Sequence, residues 1–454
     1  MYLREVHIKN IRSLKEIQWE VPASKAAGWH VIIGDNGSGK STFLRSIALA
    51  MIGPWDAISL RLSFEDWLRK DQSEGSIELA IDRDDQFDQV AGKEPIPRQS
   101  PLRFAVGLTR WMQKKIFDPE SFDLLVEVMP IVVLNASNTQ VGPDRHVWGL
   151  AEGWFCAGYG PFRRLTGGDP EFTRISRTLP KLARYLSIFD ERVALIDYLE
   201  WLQFLKFRQL EADQKPESEQ SGRKLLSAIF QFINQPDFLP YQAQLKEITS
   251  TSVLFVDGNQ MEIRIEELSD GYRSILSMTL ELIRQLVAAY GPNRVFDPDD
   301  PTKIICPGVV LIDEIDAHLH PSWQRRVGLW FRKHFPNIQF IVSTHSPLIC
   351  QAADVGTVFL LPRPGSDDVG GMLRGAKLNR LLYGNVLDAY GTEVFGRDVN
   401  RSEKAKDLRR RLAELNVKEG RQGLTEAERR EQEELRGAMP TAALSLEPID
   451  DPDS

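Results

Sequence analysis

The stretch GDNGSGKST, residues 34–42, decides the fold. It follows the apolar run WHVII (29–33), which is typical of a buried strand, and precedes FLRSIALAMI (43–52), whose apolar residues have helical spacing. In a glycine-rich turn successive backbone N–H groups can point into one concavity, and the N-terminus of the following helix adds about half a positive charge. The stretch therefore predicts a site for an oligophosphate between a strand and a helix.

The spacing of Gly34, Gly39, Lys40 and Ser41 fits the phosphate-binding loop of nucleotide-binding proteins. In that motif the lysine reaches the β- and γ-phosphates, and the hydroxyl that follows it binds Mg²⁺. An ordinary strand-turn-helix junction with a chance lysine is the alternative. We predict ATP and Mg²⁺ as cofactors. The predicted nucleotide-binding residues are Gly34, Asp35, Asn36, Gly37, Ser38, Gly39, Lys40, Ser41 and Thr42.

A second pattern related to phosphate chemistry is VVLIDE at 309–314. A buried strand can project Asp313 from its C-terminal end toward a Mg²⁺ at the loop, where the carboxylate holds the ion through water. Glu314 can then polarise the water that attacks the γ-phosphate. Paired carboxylates after an apolar strand also arise by chance, so the neighbouring motifs matter. We predict Ser41 and Asp313 as metal ligands and Glu314 as a catalytic residue.

Two further motifs lie at strand ends. The sequence LSDGYR, 268–273, stands between a strand and the helical stretch SILSMTLELI, so the N–H groups of Ser269 and Gly271 can form a second anion site. One subunit seldom needs two such sites. The sequence STHS, 343–346, ends another strand, and His345 could donate a hydrogen bond to a γ-phosphate or to the attacking water. A lone histidine at a strand end is more often structural.

Composition limits the function classes. The chain has 454 residues, a formal net charge of −8 and three widely spaced cysteines that form no metal or disulfide pattern. The negative charge argues against nucleic-acid binding through bulk positive charge, although a local basic groove leaves DNA open as a partner. No apolar stretch reaches the roughly 18 residues that cross a bilayer, and charges interrupt the N-terminal segment where a signal peptide is apolar. We expect a cytoplasmic protein without a membrane partner.

Changes in the apolar pattern divide the chain into five segments. The predicted fold is α/β, with a nucleotide-binding head on a mixed central sheet, a helical insertion and a short helical C-terminal extension. In the extension, Thr425 and Glu428 have the spacing of a capping box. The segments are 1–170 (first part of the head), 171–245 (helical insertion), 246–396 (second part of the head), 397–440 (helical extension) and 441–454 (disordered acidic tail).

In this order the motifs resemble the ATP-binding cassette ATPases of the RecF, SMC and OLD type, over roughly residues 1–60 and 250–365. The resemblance implies that 34–42 is the Walker A loop and that the strand ending at Asp313 is the Walker B strand. It also implies Glu314 as the catalytic base. The Q-loop glutamine of the family has no clear counterpart in this sequence.

The same resemblance assigns three more parts of the site. His345 corresponds to the switch histidine, and Arg12 lies in a turn similar to the segment beside the adenine base. Ser269, Asp270 and Gly271 correspond to the signature motif, which in this family closes the ATP site of a second subunit. The resemblance therefore implies a dimer, or an assembly of dimers, with ATP between the copies. The motif reads SDG where the family has SGG, so we expect the Asp270 side chain to point away from the triphosphate.

Two other stretches, AGYGPFRRLTGG (157–168) and LYGNVLDAYGTEVFG (382–396), resemble the Septu- and retron-associated PtuA group of bacterial anti-phage defence. They equally fit a glycine-containing strand end and an exposed loop. The resemblance implies a sensor and scaffold ATPase, without nuclease activity of its own, that controls a separate HNH nuclease subunit similar to PtuB. Two alternatives stay open: an AriA-like defence scaffold that holds a Toprim effector, and a RecF-like DNA repair ATPase.

Overall fold

The computed structural model describes residues 1–90, 101–113, 127–135, 143–149, 151–165, 167–214, 220–239, 242–249, 252–366, 368–384 and 403–438. The chain divides into two compact units, Met1–Ala389 and Tyr390–Ser454. The predicted boundary at 397 and the predicted disordered tail at 441–454 lie outside the described residues. The segment boundaries proposed from the sequence therefore stay a prediction.

Fourteen strands and thirteen α-helices are formed by the described residues. The strands are β1 (Tyr2–Ile11), β2 (Leu14–Glu20), β3 (Gly28–Ile33), β4 (Glu74–Asp82), β5 (Leu102–Gln113), β6 (Glu127–Asn135), β7 (Cys156–Tyr159), β8 (Gln244–Ile248), β9 (Val253–Val256), β10 (Glu262–Arg264), β11 (Gly308–Ile312), β12 (Ile338–Ser343), β13 (Gly356–Leu360) and β14 (Gly371–Met372). The helices are α1 (Lys40–Ile52), α2 (Pro54–Ala57), α3 (Pro170–Thr178), α4 (Pro180–Ala183), α5 (Leu186–Phe189), α6 (Asp197–Gln214), α7 (Gln220–Ile233), α8 (Asp270–Tyr290), α9 (Pro321–His334), α10 (Pro347–Cys350), α11 (Gly375–Tyr383), α12 (Glu403–Gln422) and α13 (Glu426–Ala438).

A six-stranded mixed sheet with the order β14-β13-β3-β12-β11-β7 lies at the centre of the first unit. Strands β13, β3, β12, β11 and β7 run parallel, and β14 pairs antiparallel with β13 at one edge. Every residue of β3, β11 and β12 is buried. Because helices or a second sheet cover both faces of such strands, their sequences are continuous apolar runs rather than alternating ones. The predicted α/β fold with a mixed central sheet is confirmed.

A five-stranded antiparallel sheet has the order β2-β1-β4-β5-β6. Strands β1 and β2 form a hairpin in which Val6 pairs with Trp19 and Ile8 pairs with Ile17. All four side chains are buried, as the period of two along a half-buried strand requires. Strand β2 lies at one edge of this sheet. The short strands β8, β9 and β10 form a third, antiparallel sheet.

Helix α1 contacts strands of both larger sheets. One hydrophobic cluster joins Ile8 of β1, Phe43 and Ile47 of α1, and Leu311 of β11. Eleven of the thirteen residues of α1 are buried. Since each large apolar side chain that leaves water contributes about 2 kcal/mol, α1 is anchored along its whole length. The loop that precedes it, residues 34–39, is therefore held between a buried strand and a buried helix.

Helices α3 to α7 occupy the region predicted as a helical insertion, and they belong to the same compact unit as the strands. Asp169 caps α3 by accepting a hydrogen bond from the backbone N–H of Glu171 at 3.0 Å, and Pro170 takes the first helical position. Tyr198 of α6 is fully buried, and its hydroxyl lies 3.4 Å from Ser277 Oγ of α8. Helix α6 therefore packs on α8.

The second unit contains α12 and α13, which pack together through Leu412, Leu415 and Leu435. The predicted capping box is present at the start of α13. Glu428 donates its N–H to Thr425 Oγ1 at 3.3 Å, and its carboxylate accepts a hydrogen bond from the N–H of Thr425 at 3.0 Å.

Among the described helices, no single one has both the length and the apolar character needed to cross a membrane. The bent pair Lys40–Ile52 and Pro54–Leu60 meets both criteria only when the two helices are counted together, across a bend of 116°.

Candidate nucleotide-binding site

The loops after three neighbouring strands meet at one edge of the six-stranded sheet. Strands β3, β12 and β11 are adjacent and parallel. They lead into the glycine-rich loop, His345 and the pair Asp313 and Glu314, respectively. Ligands of parallel α/β sheets bind outside the carboxyl ends of the strands. The topology therefore brings the glycine-rich loop near the N-terminus together with two motifs from the second half of the chain.

The glycine-rich loop curls around the ammonium group of Lys40. Lys40 Nζ donates hydrogen bonds to the carbonyl oxygens of Gly34, at 2.8 Å, and Asp35, at 3.0 Å. Helix α1 begins at Lys40, so the positive charge lies at the helix N-terminus. Gly39 has a φ of 99°, and a Cβ there would lie 2.5 Å from Leu14 Cδ2. Both the backbone conformation and the lack of space require glycine at this position.

The other residues predicted in the loop differ in burial. Ser38 Oγ is buried and has no hydrogen-bond partner within the described part of the chain. It would lie 2.6 Å from a Cβ on Gly34, so it faces the inside of the loop. A buried hydroxyl without a partner is costly, and a ligand oxygen would satisfy it. The exposed positions are Asp35, Asn36 and Gly37, the half-buried ones Gly34, Gly39 and Ser41, and the buried ones Ser38, Lys40 and Thr42.

Lys40 shares its environment with two carboxylates from β11. The side chain is only 6% exposed, and this burial lowers the pKa of Lys40, while the charges of Glu314 and Asp313 act to raise it. The loop after β3 and the end of β11 therefore lie near enough for the carboxylates of Asp313 and Glu314 to act on the ammonium of Lys40. The roles predicted for these three residues stay a prediction.

Asp313 and Glu314 are held by a serine on the neighbouring strand β12. Ser343 Oγ donates a hydrogen bond of 2.5 Å to Asp313 Oδ1, and it accepts one of 2.8 Å from the backbone N–H of Glu314. Glu314 has a φ of 47°, a conformation that a glutamate adopts only where its surroundings hold it. Ser343 is a site residue that our sequence analysis missed, although it stands two residues before His345.

His345 follows β12 and is exposed. Partial desolvation lowers the pKa of His345, the positive charge of Lys40 lowers it further, and nearby carboxylates oppose the shift. An imidazole with a lowered pKa is neutral at pH 7, so it donates one hydrogen bond and accepts another. The charges of Lys40 and of the nearby carboxylates therefore both act on the imidazole of His345.

The signature segment lies on the surface at the start of α8. Ser269 is the N-cap residue of this helix, is exposed and makes no capping hydrogen bond with its side chain. Asp270 forms an ion pair with Arg273 of the same helix, so its carboxylate is engaged by α8 itself. A Cβ on Gly271 would lie 2.8 Å from the carbonyl oxygen of His318, which requires a very small residue there. The first N–H groups of α8 have no partner within the helix.

Arg163 contacts both the Walker B residues and α8, although our sequence analysis did not identify it. Its guanidinium donates hydrogen bonds to the carbonyl oxygens of Asp313, at 2.9 Å, and Glu314, at 2.8 Å, and to Ser274 Oγ at 3.0 Å. Arg163 is 3% exposed, and burial lowers its pKa to about 10 against the opposing effect of nearby carboxylates. Its sequence context, FRR, does not distinguish a buried arginine from an exposed one.

Arg12 lies in the turn between β1 and β2, with a φ of 48°. Its Cζ lies 4.7 Å from the ring centroid of Trp67, and its N–H donates to the Trp67 carbonyl at 2.8 Å. Burial lowers the pKa of Arg12, and Arg45 lowers it further. The same turn borders the glycine-rich loop, because a Cβ on Gly39 would lie 2.7 Å from Ser13 Oγ. Arg12 is therefore at the margin of the loop, with its side chain packed on an indole.

Two family models match the chain in the regions that carry these motifs. A model described as an AAA domain matches residues 5–98, which include the glycine-rich loop. A model described as an AAA domain, putative AbiEii toxin, Type IV TA system, matches residues 167–351, which include the signature segment, the Walker B strand and His345.

Curated relatives match as well. The chain is 25% identical over 364 residues to the Septu protein PtuA of Bacillus mycoides (strain KBAB4), a match that covers 79% of this chain and 40% of PtuA. It is 43% identical over 124 residues to the Retron Ec83 probable ATPase of Escherichia coli, covering 27% of this chain and 22% of that protein. The chain is homologous to PtuA and to the retron ATPases, and AAA-domain models match two parts of it. It spans less than half the length of either relative.

Among solved structures, the chain is similar to the Smc head domain with an extended coiled coil bound to the C-terminal domain of ScpA, derived from Pyrococcus furiosus. The TM-score is 0.46 and the sequence identity 17%, over 82% of this chain and 96% of that one.

The ATPase domain has oxygen ligands that suit Mg²⁺. The described hydrogen bonds of the Asp313 carboxylate use Oδ1 only, and the Ser41 hydroxyl is half-buried in the first turn of α1. Mg²⁺ keeps several waters and binds one or two protein ligands together with phosphate oxygens. Within the described ranges no cluster of three or more His, Cys, Asp or Glu residues could hold a metal alone. The donor set therefore fits a Mg²⁺ that is shared with a phosphate.

Proposed function

We propose that this chain is the ATP-binding and ATP-hydrolysing sensor and scaffold subunit of a bacterial anti-phage defence complex. The observation that carries the proposal is the meeting of Lys40, Asp313, Glu314 and His345 at one sheet edge, in a chain homologous to PtuA. ATP is the substrate, and the products are ADP and phosphate. The chain itself supplies no nuclease activity in this proposal.

Each residue of the site has a defined task. The N–H groups of the loop and Lys40 bind the β- and γ-phosphates. Ser41 and Asp313 hold Mg²⁺, which neutralises phosphate charge when it is bound. Glu314 orients the attacking water and accepts its proton, and its restrained backbone fixes the carboxylate for this step. His345, neutral at pH 7, donates a hydrogen bond to the γ-phosphate.

Arg12 has a separate task at the margin of the loop. Its turn adjoins the phosphate-binding glycine at position 39, so a nucleotide whose phosphates fill the loop would extend its base toward this turn. We assign Arg12 to the adenine side of the nucleotide. Stacking of its guanidinium on Trp67 fixes the position of the charge.

The second half of the site comes from another copy of the chain. Ser269, Asp270 and Gly271 present the exposed N-terminus of α8, where backbone N–H groups bind the γ-phosphate of ATP held by the partner copy. ATP then joins two copies, and hydrolysis removes the phosphate that both contact. Nucleotide turnover therefore switches the protein between an ATP-joined state and a released state, whether it forms a dimer or an assembly of dimers.

The effector of the complex is a separate nuclease subunit of the HNH type, similar to PtuB. Support for this partner is the match to PtuA across 79% of the chain. A Toprim gene beside this one would instead indicate an AriA-like scaffold. ATP-dependent, salt-sensitive DNA binding without an adjacent effector gene would indicate a RecF-like repair enzyme.

The test combines an assembly measurement with a phage assay. Glu314→Gln keeps the nucleotide contacts but removes the base, so we expect ATP to hold this variant as a dimer or larger assembly by light scattering. Equal particle sizes with and without ATP contradict the proposed switch. In cells that carry the gene with its neighbour, Lys40→Ala should abolish phage protection. Unchanged protection contradicts a role of ATP in defence.

A further inference from the structure

The loop after β7 places a buried arginine beside the ATPase site. Strand β7 pairs with β11 at the edge of the central sheet, with Tyr159 opposite Ile312. Arg163 follows four residues later with a φ of 30°, in the left-handed region that non-glycine residues seldom adopt. Its Nε also donates to the carbonyl oxygen of Gly160 at 3.1 Å, which ties the side chain to its own loop. This hydrogen bond fixes the Arg163 side chain relative to its own loop.

The guanidinium connects two elements that have different tasks. Two of its hydrogen bonds go to the backbone carbonyls of Asp313 and Glu314, and one goes to Ser274 Oγ. Ser274 lies four residues after the start of α8 and is 4% exposed. A helix moves as a rigid element over one turn, so Ser274 moves with the signature segment at the N-terminus of α8. Arg163 therefore connects the signature helix to the backbone of the base.

A planar guanidinium suits this task for geometric reasons. It presents several N–H donors in a fixed fork, so three acceptors on two elements can be held at constant relative positions. Its hydrogen bonds go to carbonyl and hydroxyl oxygens rather than to a carboxylate, so the carboxylate of Glu314 stays available. Glu314 also has a strained backbone, with a φ of 47°, which depends on its surroundings.

We propose that Arg163 is a positioning residue that couples the place of the signature helix to the orientation of Glu314. This inference rests on the proposed function, in which the signature helix binds the nucleotide of the partner copy. In a dimer, Arg163 then links the two ATP sites: the γ-phosphate bound at α8 sets the geometry of the base that acts on the subunit's own ATP. Binding at one site prepares hydrolysis at the other.

The test uses Arg163→Lys, Ser274→Ala and the double variant. Arg163→Lys keeps the positive charge but loses the planar set of N–H donors. Ser274→Ala removes only the hydroxyl acceptor on α8. We expect kcat for ATP hydrolysis to fall about tenfold in each single variant, because a small displacement of the base is costly. The dissociation constant for ATP should stay within about twofold of the parent value, because the glycine-rich loop is untouched. The Hill coefficient of turnover should fall toward one.

The double variant reports the coupling directly. Because both substitutions break the same connection, the double variant should be no slower than Arg163→Lys alone. The matched control is Arg164→Lys, since Arg164 is the exposed neighbour and stacks on Phe162; its turnover should equal that of the parent. A lowered melting temperature would reveal a folding defect in Arg163→Lys. In that case the kcat of Ser274→Ala decides whether the contact between Arg163 and α8 affects hydrolysis.

Three results would overturn the inference: parent-like kcat in Ser274→Ala, a loss of ATP affinity parallel to the loss of kcat, or fully additive effects in the double variant. Glu314→Gln, measured in parallel, separates this from a failure of the proposed function. If the parent protein shows no turnover that Glu314→Gln removes, the proposed function fails, and the inference fails with it. If that turnover is present and the Arg163 connection does not affect it, only the inference fails.

Discussion

The glycine-rich loop with its Walker B neighbours and the signature segment both stand at helix N-termini, but they differ in how complete they are. In the first region Lys40 and Asp313 are buried. Ser343 Oγ donates a hydrogen bond to the Asp313 carboxylate and accepts one from the backbone N–H of Glu314. In the second region Ser269 is exposed, and its side chain makes no capping hydrogen bond. One anion site is organised within a single chain, whereas the other is an open helix end.

This difference indicates which steps take place within one copy of the chain and which require two copies. A buried, cross-linked site positions reacting groups before the substrate arrives, which is what hydrolysis requires. An exposed helix N-terminus is free to meet a phosphate presented by another molecule. We therefore expect substitutions in the first region to affect binding and chemistry within each copy, and substitutions in the second region to affect only the assembled state.

The largest effect is expected for Lys40→Ala. Removing the ammonium leaves the loop carbonyls and the nearby carboxylates without their cation, so the site repels a triphosphate. We expect ATP affinity and turnover to fall by about a hundredfold or more, measured by nucleotide titration and phosphate release. Lys70→Ala, at an exposed lysine, is the matched control. Retained ATP binding in Lys40→Ala would contradict the assignment of the loop.

A somewhat smaller effect is expected for Ser269→Arg. The large side chain at the helix N-terminus blocks access to the N–H groups of α8, so turnover should fall by roughly thirtyfold. Binding of ATP to the single chain should remain, because the glycine-rich loop is intact. Asn259→Arg, in an exposed turn, controls for the added charge. Loss of ATP binding by the isolated Ser269→Arg chain would show that the two regions are not separate.

A more moderate effect is expected for Ser343→Ala. The hydroxyl bridges Asp313 and the N–H of Glu314, so its removal loosens both carboxylates while the loop keeps its contacts. We expect kcat to fall by about tenfold with ATP affinity nearly unchanged. Ser46→Ala is a matched buried control, because the Ser46 hydroxyl bonds only to Thr42 of its own helix. Equal kcat in the two variants would contradict a positioning role for Ser343.

The smallest effect concerns the free energy of unfolding and depends on a histidine in β3, the strand that precedes the glycine-rich loop. His30 in β3 is buried, and burial lowers its pKa from 6.5 to about 4. Between these values the unfolded chain binds a proton that the folded chain does not, so the free energy of unfolding decreases as the pH falls, by about 3 kcal/mol in total. Above pH 6.5 this contribution is fully present and constant.

Denaturant unfolding at several pH values checks this expectation. His30→Gln should reduce the loss of stability between about pH 6.5 and 4, because the side chain no longer titrates. The parent and the variant share the same carboxylates. Subtracting the two slopes of unfolding free energy against pH therefore removes the contribution of those carboxylates. Parallel pH profiles for the parent and the variant would contradict a neutral buried imidazole at this position.

The two regions also differ in how much of them the sequence reveals. The loop, the Walker B carboxylates, His345 and the signature segment are local patterns, because each combines a strand or helix end with residues next to it in sequence. Strand and helix types follow from the same local periodicity. The mixed sheet could therefore be predicted, and its core strands identified as continuous apolar runs.

The contacts that hold the site together could not be predicted in this way. Ser343 reaches Asp313 only because β12 pairs with β11, and Arg163 reaches it from 150 residues away because β7 pairs with β11 on the other side. A single sequence contains no local signal for such pairings.

The most direct test of the central claim mixes two inactive variants. Lys40→Ala has an intact signature segment, and Ser269→Arg has an intact loop, so a dimer with one copy of each contains one complete site if the two regions meet between copies. We predict that an equimolar mixture hydrolyses ATP faster than either component, to at most about a quarter of the parent activity, because half of the dimers are mixed and each has one of its two sites intact. A mixture that stays as inactive as its components would contradict an ATP site shared between two chains.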